Sequence, residues 1–221
     1  MENEKLPRPT QADYDKLLQL EEEKRFNDEY MELFDNFDWS VQTFEENGKY
    51  GLKSAVGEVL LPAAFEDFMT MTGDVLRKGD RVVTLHNGLW GVIIADGTGT
   101  WMIEPQYDYI GYPQYLTPVC KDDKWGVLNI STGEFLIPLE CDSVGADRGL
   151  IFVNGLGYYE KDGKTGIIRM DGVFTEAIFE DTDFEPEGPV RVMLNGEWGY
   201  INEQGNFTTN EDDDVWCFYL D

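Results

Sequence analysis

Histidine is almost missing from this sequence: His86 is the only one in 221 residues. A Ser-His-Asp arrangement therefore has a single candidate base, and no G-x-S-x-G phrase accompanies it. Cysteine is scarce too. Cys120, Cys141 and Cys217 are odd in number and form no CxxC pair, which excludes a zinc knuckle and a thiol redox motif. Buried free thiols in a reducing compartment are the reading that remains. No run of 18 apolar residues occurs, and the opening MENEKLPRPTQ has no apolar signal core. The expected location is cytoplasmic, or beyond the membrane by a route without a cleaved signal. Basic residues are few, 17 against 44 acidic ones, for a formal net charge of −27. Such a charge opposes binding to nucleic acid and to anionic membrane, and it favours a basic protein partner. HExxH, Walker A and a complete GxGxxG are all missing; GLGYYE (155–160) has two of the three glycines. No catalytic residue, metal or cofactor is expected.

Apolar side chains are plentiful: 42% of residues are hydrophobic and 14% aromatic, enough to build a core. A phrase recurs among them: NGKYGL (47–52), NGLWGV (87–92), DDKWGV (122–127), DGKTGI (162–167) and NGEWGY (195–200). Asn-Gly and Asp-Gly suit the positive φ of a two-residue hairpin turn. A β-rich run precedes each turn, namely VQTF (41–44), RVVTLH (81–86), LTPVCK (116–121), GYYEK (157–161) and VRVML (190–194). Each copy thus reads as a hairpin. The invariant Gly lets a neighbouring strand approach closely, and the aromatic before it is expected to face inward and bury a large area.

A second turn leads to a third strand in EVLLP (58–62), TWMIEP (100–105), EFLIP (134–138) and VFTEAI (173–178). Pro62, Pro105 and Pro138 are expected to end their strands, because proline cannot donate to a ladder. A short aromatic-acidic piece follows: FEDF (65–68), YDYI (107–110), CDSV (141–144) and FEDT (179–182). These phrases, above all 88–110, 124–144 and 197–207, resemble the WG-repeat proteins (WG-containing β repeats). The resemblance implies repetitive β architecture, found mostly in bacterial proteins, with no established catalytic residues. The expected fold is an all-β array of five antiparallel three-stranded repeats, starting near 47, 87, 122, 162 and 195. A propeller-like ring and a strongly curved spiral both fit such stacking units.

The ends differ. Residues 1–38 read as an N-terminal helical cap on a β domain of 39–221: TQAD (10–13) has the pattern of a capping box, and Phe26, Tyr30, Leu33, Phe34 and Phe37 are spaced for an amphipathic helix. The C-terminal VWCFYL (215–220) suits a last strand that closes the array or covers an edge. Two acidic stretches stand out. Glu180, Asp181, Asp183, Glu185 and Glu187 form one, and Asp212, Asp213 and Asp214 lie in the other. Pro186 occupies the place of the sharp-turn glycine of a calcium loop, which refuses an EF-hand. These acids are the candidate steering and rim contacts for a basic partner. Tyr112 and Tyr115 are the candidate anchors, since tyrosine is enriched at binding hot spots. The expected function is a non-enzymatic acidic binding module, an immunity or inhibitor protein against a basic toxin. A ligand or glycan reader is the alternative, and a hydrolase with paired carboxylates the enzymatic one.

Overall fold

A computed structural model describes residues 40–70, 73–145, 156–183, 188–210 and 215–218. The expected N-terminal helical segment lies outside them, as do Glu185, Glu187 and Asp212–Asp214. The described chain is all-β, built of antiparallel sheets, with no helix among the described residues. It divides into two compact units, residues 1–115 with 130–133, and residues 116–129 with 134–221.

The first unit holds β1 (Val41–Glu46), β2 (Lys49–Ser54), β3 (Val59–Phe65), β4 (Asp67–Met69), β5 (Val75–Leu76), β6 (Arg81–His86), β7 (Leu89–Ile94), β8 (Trp101–Tyr107) and β9 (Tyr109–Ile110). One sheet runs β3-β2-β1-β5 and another β4-β6-β7-β8. The second unit holds β10 (Leu116–Lys121), β11 (Lys124–Asn129), β12 (Phe135–Cys141), β13 (Ser143–Val144), β14 (Leu156–Lys161), β15 (Lys164–Arg169), β16 (Asp181–Asp183), β17 (Gly188–Pro189), β18 (Arg191–Leu194), β19 (Glu197–Ile201), β20 (Phe207–Thr208) and β21 (Cys217–Phe218). Here β10, β11 and β12 pair in succession, as do β13, β14 and β15; a third sheet runs β16-β18-β19-β20, and β17 pairs with β21.

All five hairpin turns are where the Asn-Gly, Asp-Gly and Asp-Asp pairs placed them. Both residues of each pair have positive φ, as at Asn47 (53°) and Gly48 (72°) or Asp122 (52°) and Asp123 (60°). The strand after the turn is the centre of its copy, and neighbouring residues on it feed different cores. Ile168 joins Leu116, Val127, Ile137, Cys141, Val144 and Tyr159, whereas Ile167 joins Leu156, Phe179, Val190, Val192, Ile201 and Trp216. A strand covered on both faces explains the unbroken apolar runs VII and II after the glycine. In the first unit, Val41, Leu52, Phe65 and Leu76 pack on Val82, Ile93 and Ala95. Full burial of such a side chain is worth about 1.5–3 kcal/mol, so these clusters dominate the folding energy of each unit.

The glycine is held against the third strand. A Cβ on Gly126 would lie 2.7 Å from the Ile137 carbonyl oxygen and 3.0 Å from the Pro138 carbonyl carbon; one on Gly91 would lie 2.6 Å from the Ile103 oxygen and 2.8 Å from the Pro105 nitrogen. The register supplies the cause. Trp125 pairs with Cys141 but Val127 with Ile137, and Trp90 pairs with Tyr107 but Val92 with Ile103. Tyr50, Leu52, Phe65 and Leu61 repeat that shift around Gly51. Two extra residues on the third strand bulge onto the glycine in each case.

Three expectations are corrected. Pro62, Pro105 and Pro138 do not end their strands; they sit inside β3, β8 and β12, at the bulge, where a missing N–H costs no ladder bond. Tyr50, Trp90 and Trp125 are only half-buried, and Trp198 is exposed. The deeply buried residue is the one paired opposite: Phe65, Tyr107, Cys141 and, across from Thr165, Phe179. A small Cys141 faces the large Trp125 and a large Phe179 faces the small Thr165, whereas Tyr50–Phe65 and Trp90–Tyr107 are aromatic on both sides. Finally, VFTEAI forms no third strand; it makes one isolated bridge, Ile168–Phe174, and a second, Thr165–Phe179, follows just beyond it. The Tyr159 ring fills the space over Gly166 that the bulge occupies elsewhere, and its hydroxyl donates to the Thr175 carbonyl at 2.7 Å. The Thr175 hydroxyl oxygen in turn accepts the Ile167 N–H at 2.9 Å. One side-chain oxygen thus stands in for a ladder acceptor, while backbone bonds still join Thr165 to Phe179 and Thr175 to Ile167.

Candidate protein-binding surface

Alternation along β16, β18 and β19 builds a two-faced sheet. Asp181 pairs with Met193 and Met193 with Trp198; Asp183 pairs with Arg191 and Arg191 with Tyr200. Directly paired residues share a face, so these six side chains lie together. Val192, Gly199 and Ile201 take the opposite face and are buried. Asp181, Arg191 and Trp198 are exposed, while Asp183, Met193 and Tyr200 are half-buried. The Arg191 guanidinium sits 5.2 Å from the Trp198 ring centroid and 3.6 Å from Asp183 Oδ2. That contact holds the indole ring in place while leaving 37% of the Trp198 residue open to solvent. Asp181 Oδ1 accepts the Thr182 N–H at 2.9 Å.

Glu180 is differently employed. One carboxylate oxygen accepts the Gly196 N–H at 2.8 Å and the other lies 3.4 Å from Lys164 Nζ. The N–H bond from Gly196, with Lys164 adding to it, holds its carboxyl below the usual range. Its side chain therefore supports the hairpin turn beside the surface, and Asp181 and Asp183 project from the next strand. Of the five acids predicted from 180–187, the structure brings these three to one short strand and its approach. Tyr112 and Tyr115 lie elsewhere, in the first unit, each 37% exposed on the turn after β9. Neighbouring Tyr107 and Tyr109 are less open, and burial pushes both phenols up.

Trp198, Arg191 and Tyr200 were not singled out from sequence. The signal was available: Gly199 and Ile201 alternate with Trp198 and Tyr200, so one pair must face away from the core. His86, the lone histidine, packs beside Phe65 and Trp101 at ring-centroid distances of 5.4 and 6.0 Å. Cys120 and Cys141 are buried free thiols, and burial raises Cys141 to about 11, far from a reactive thiolate. Among the described residues no three His, Cys, Asp or Glu side chains are placed to hold a metal ion, and no helix is long and apolar enough to cross a membrane.

The geometry around Gly91, a turn at Asn87-Gly88, a half-buried Trp90 and a bulged β8, recurs around Gly126. Residues 90–125 match the family model of the WG containing repeat. This segment is similar to a WG repeat. It runs from one Trp-Gly phrase to the next, from Trp90 through β8 and β9 to Trp125, so the matched stretch spans a central strand, its bulged partner and the strand and turn that open the next hairpin. No curated protein matches the chain.

Proposed function

We propose that this protein is a non-enzymatic binding module, an array of five WG-type copies whose acidic surface seats a basic protein. An immunity or inhibitor role against a cationic bacterial toxin in the cytoplasm is the activity that such a surface serves best. The observation that carries the reading is the combination of a net charge of −27 with a solvent-facing sheet that carries Asp181 and Asp183 on the same face as an exposed Trp198. Opposite charges steer association and raise the on-rate, while a ring held in place by a neighbouring cation loses little freedom on binding.

The test is capture by the purified protein at about 50 and 500 mM salt, with bound proteins identified by mass spectrometry. A partner of high isoelectric point, retained at low salt and released at high salt, and inhibited in its own assay, supports the proposal. Capture of acidic or neutral proteins alone overturns it. Trp198 and Tyr200 on one face also favour a second reading, a glycan or small-ligand reader. Binding that ignores salt but vanishes in Trp198→Ala would select it.

A further inference from the structure

Asn-Gly pairs stand at three of the five hairpin turns: Asn47-Gly48, Asn87-Gly88 and Asn195-Gly196. A fourth pair, Asn154-Gly155, lies outside the described residues. The three turn asparagines are all exposed, and each has a φ of 53°. A Cβ on Gly48, Gly88 or Gly196 would meet nothing within 4 Å, so each turn is open to water on that side. A two-residue turn also leaves the N–H of its second residue outside the ladder. The fate of that N–H differs between the copies. Glu180 Oε2 accepts the Gly196 N–H at 2.8 Å, and Lys164 Nζ holds the other carboxylate oxygen at 3.4 Å. Among the described residues nothing accepts from the Gly48 or Gly88 N–H. Glu66, in the aromatic-acidic piece before Asn87, gives one oxygen to Lys49 at 2.7 Å, and no described donor reaches the other.

We propose that Asn47 and Asn87 are sites of spontaneous deamidation and that Glu180 shields Asn195 from it. The glycine nitrogen attacks the asparagine Cγ; the N–Cγ bond forms, the Cγ–Nδ2 bond breaks, and ammonia leaves with the proton the glycine nitrogen gave up. Water then opens the five-membered imide at one of its two carbonyl carbons, leaving aspartate or isoaspartate. The attacking nitrogen must lose its proton and turn onto Cγ. At Gly196 the carboxylate holds that N–H in place, and its charge opposes a nitrogen anion. Copies three and four already carry Asp122 and Asp162 at the asparagine position, with φ of 52° and 53°, so an aspartate product fits the turn. Isoaspartate adds a methylene to the main chain and breaks the two-residue geometry. The shielded turn closes the hairpin that carries Arg191 and Trp198.

Peptide mapping by mass spectrometry, on the full chain aged in mildly alkaline buffer, tests this. In the native protein Asn47 and Asn87 are expected to gain the mass of an amide-to-acid change roughly fivefold faster than Asn195, the effect of a small added restraint. In urea, where no turn survives, the three rates are expected to converge. Glu180→Ala is expected to bring Asn195 up to the other two without changing them. Lys164→Met, which leaves the carboxylate in place, is expected to move Asn195 less. Stable amides at Asn47 and Asn87, a native Asn195 rate equal to or above theirs, a lag that persists in urea, or an Asn195 rate indifferent to Glu180→Ala would each overturn the proposal.

Discussion

Replacing Gly126 by alanine is the sharpest perturbation of the copied unit. Its backbone is one that alanine can adopt, so entropy alone would make the variant more stable by about 0.4–1 kcal/mol. The structure reverses that sign. The added Cβ would lie 2.7 Å from the Ile137 carbonyl oxygen, about 0.7 Å inside the 3.4 Å at which such contacts become ordinary. The obstacle is backbone, which no rotamer change relieves, and β12 must lift away from Val127. Overpacking of this kind costs about 1–3 kcal/mol. Net destabilisation of about 1–2 kcal/mol is expected, read as a lower urea midpoint at unchanged slope. Gly166→Ala supplies a contrast, because its obstacle is the Tyr159 ring. A Tyr159→Val partner should recover part of the Gly166→Ala loss in a double-mutant cycle. A Gly126→Ala protein as stable as the parent, or more stable, would refute the close approach.

Tyr159→Phe removes the buried hydroxyl that donates to Thr175 and strands that carbonyl, so a loss of about 1–2 kcal/mol is expected in the same urea assay. Alkaline pH should also weaken the second unit. Burial holds the Cys141 thiol up at about 11 and the Tyr159 phenol at about 12, above the values of the unfolded chain. Groups raised in this way give stability that is complete below the unfolded pKa and lost as pH rises through the folded value. Stability should thus fall from about pH 8.5 upward, by roughly 2–3 kcal/mol for Cys141 alone at about pH 11, and Cys141→Ala should flatten that slope in thermal melts. Acid acts on Glu66, Asp142 and Glu180, whose carboxyls are held low. Their contribution is present above about pH 4 and lost as pH falls through the folded values, which hydrogen exchange of Asp162 and Gly196 would follow. Asp181→Asn with Asp183→Asn should reduce the salt dependence of partner capture and slow association, leaving thermal stability nearly unchanged.

The hairpins were legible in the sequence because Asn-Gly and Asp-Gly have one favoured geometry and the invariant glycine fixes a register. The bulge was not. Pro62, Pro105 and Pro138 signal the end of ladder pairing equally well at a strand end and at a bulge, and only the register around Gly51, Gly91 and Gly126 separates the two. The same bulge decides which aromatic goes inside. Trp90 and Tyr107 are both large and apolar, and their depths follow from how far β8 leans over Gly91. The irregular fourth copy depended on Tyr159, a residue of the preceding strand, filling space that local sequence assigns to 173–178. At the candidate surface, the acidic character of 180–183 was plain from composition. Trp198 was hidden because NGEWGY repeats NGLWGV: the same phrase gives a half-buried ring at Trp90 and an exposed one at Trp198, according to what packs against it. Glu180 shows the converse, a carboxylate chosen for its charge that the structure employs on the Gly196 amide.

A set of interproton contacts around the repeated glycine tests the central claim most directly. In a nuclear Overhauser spectrum, a bulged third strand resting on each glycine predicts strong cross-peaks from Gly91 Hα to Pro105 Hα and from Gly126 Hα to the Leu139 amide proton, with Gly51 giving the matching peak to the Ala63 amide. Three glycines with three unlike sets of neighbours would contradict a single unit copied along the chain.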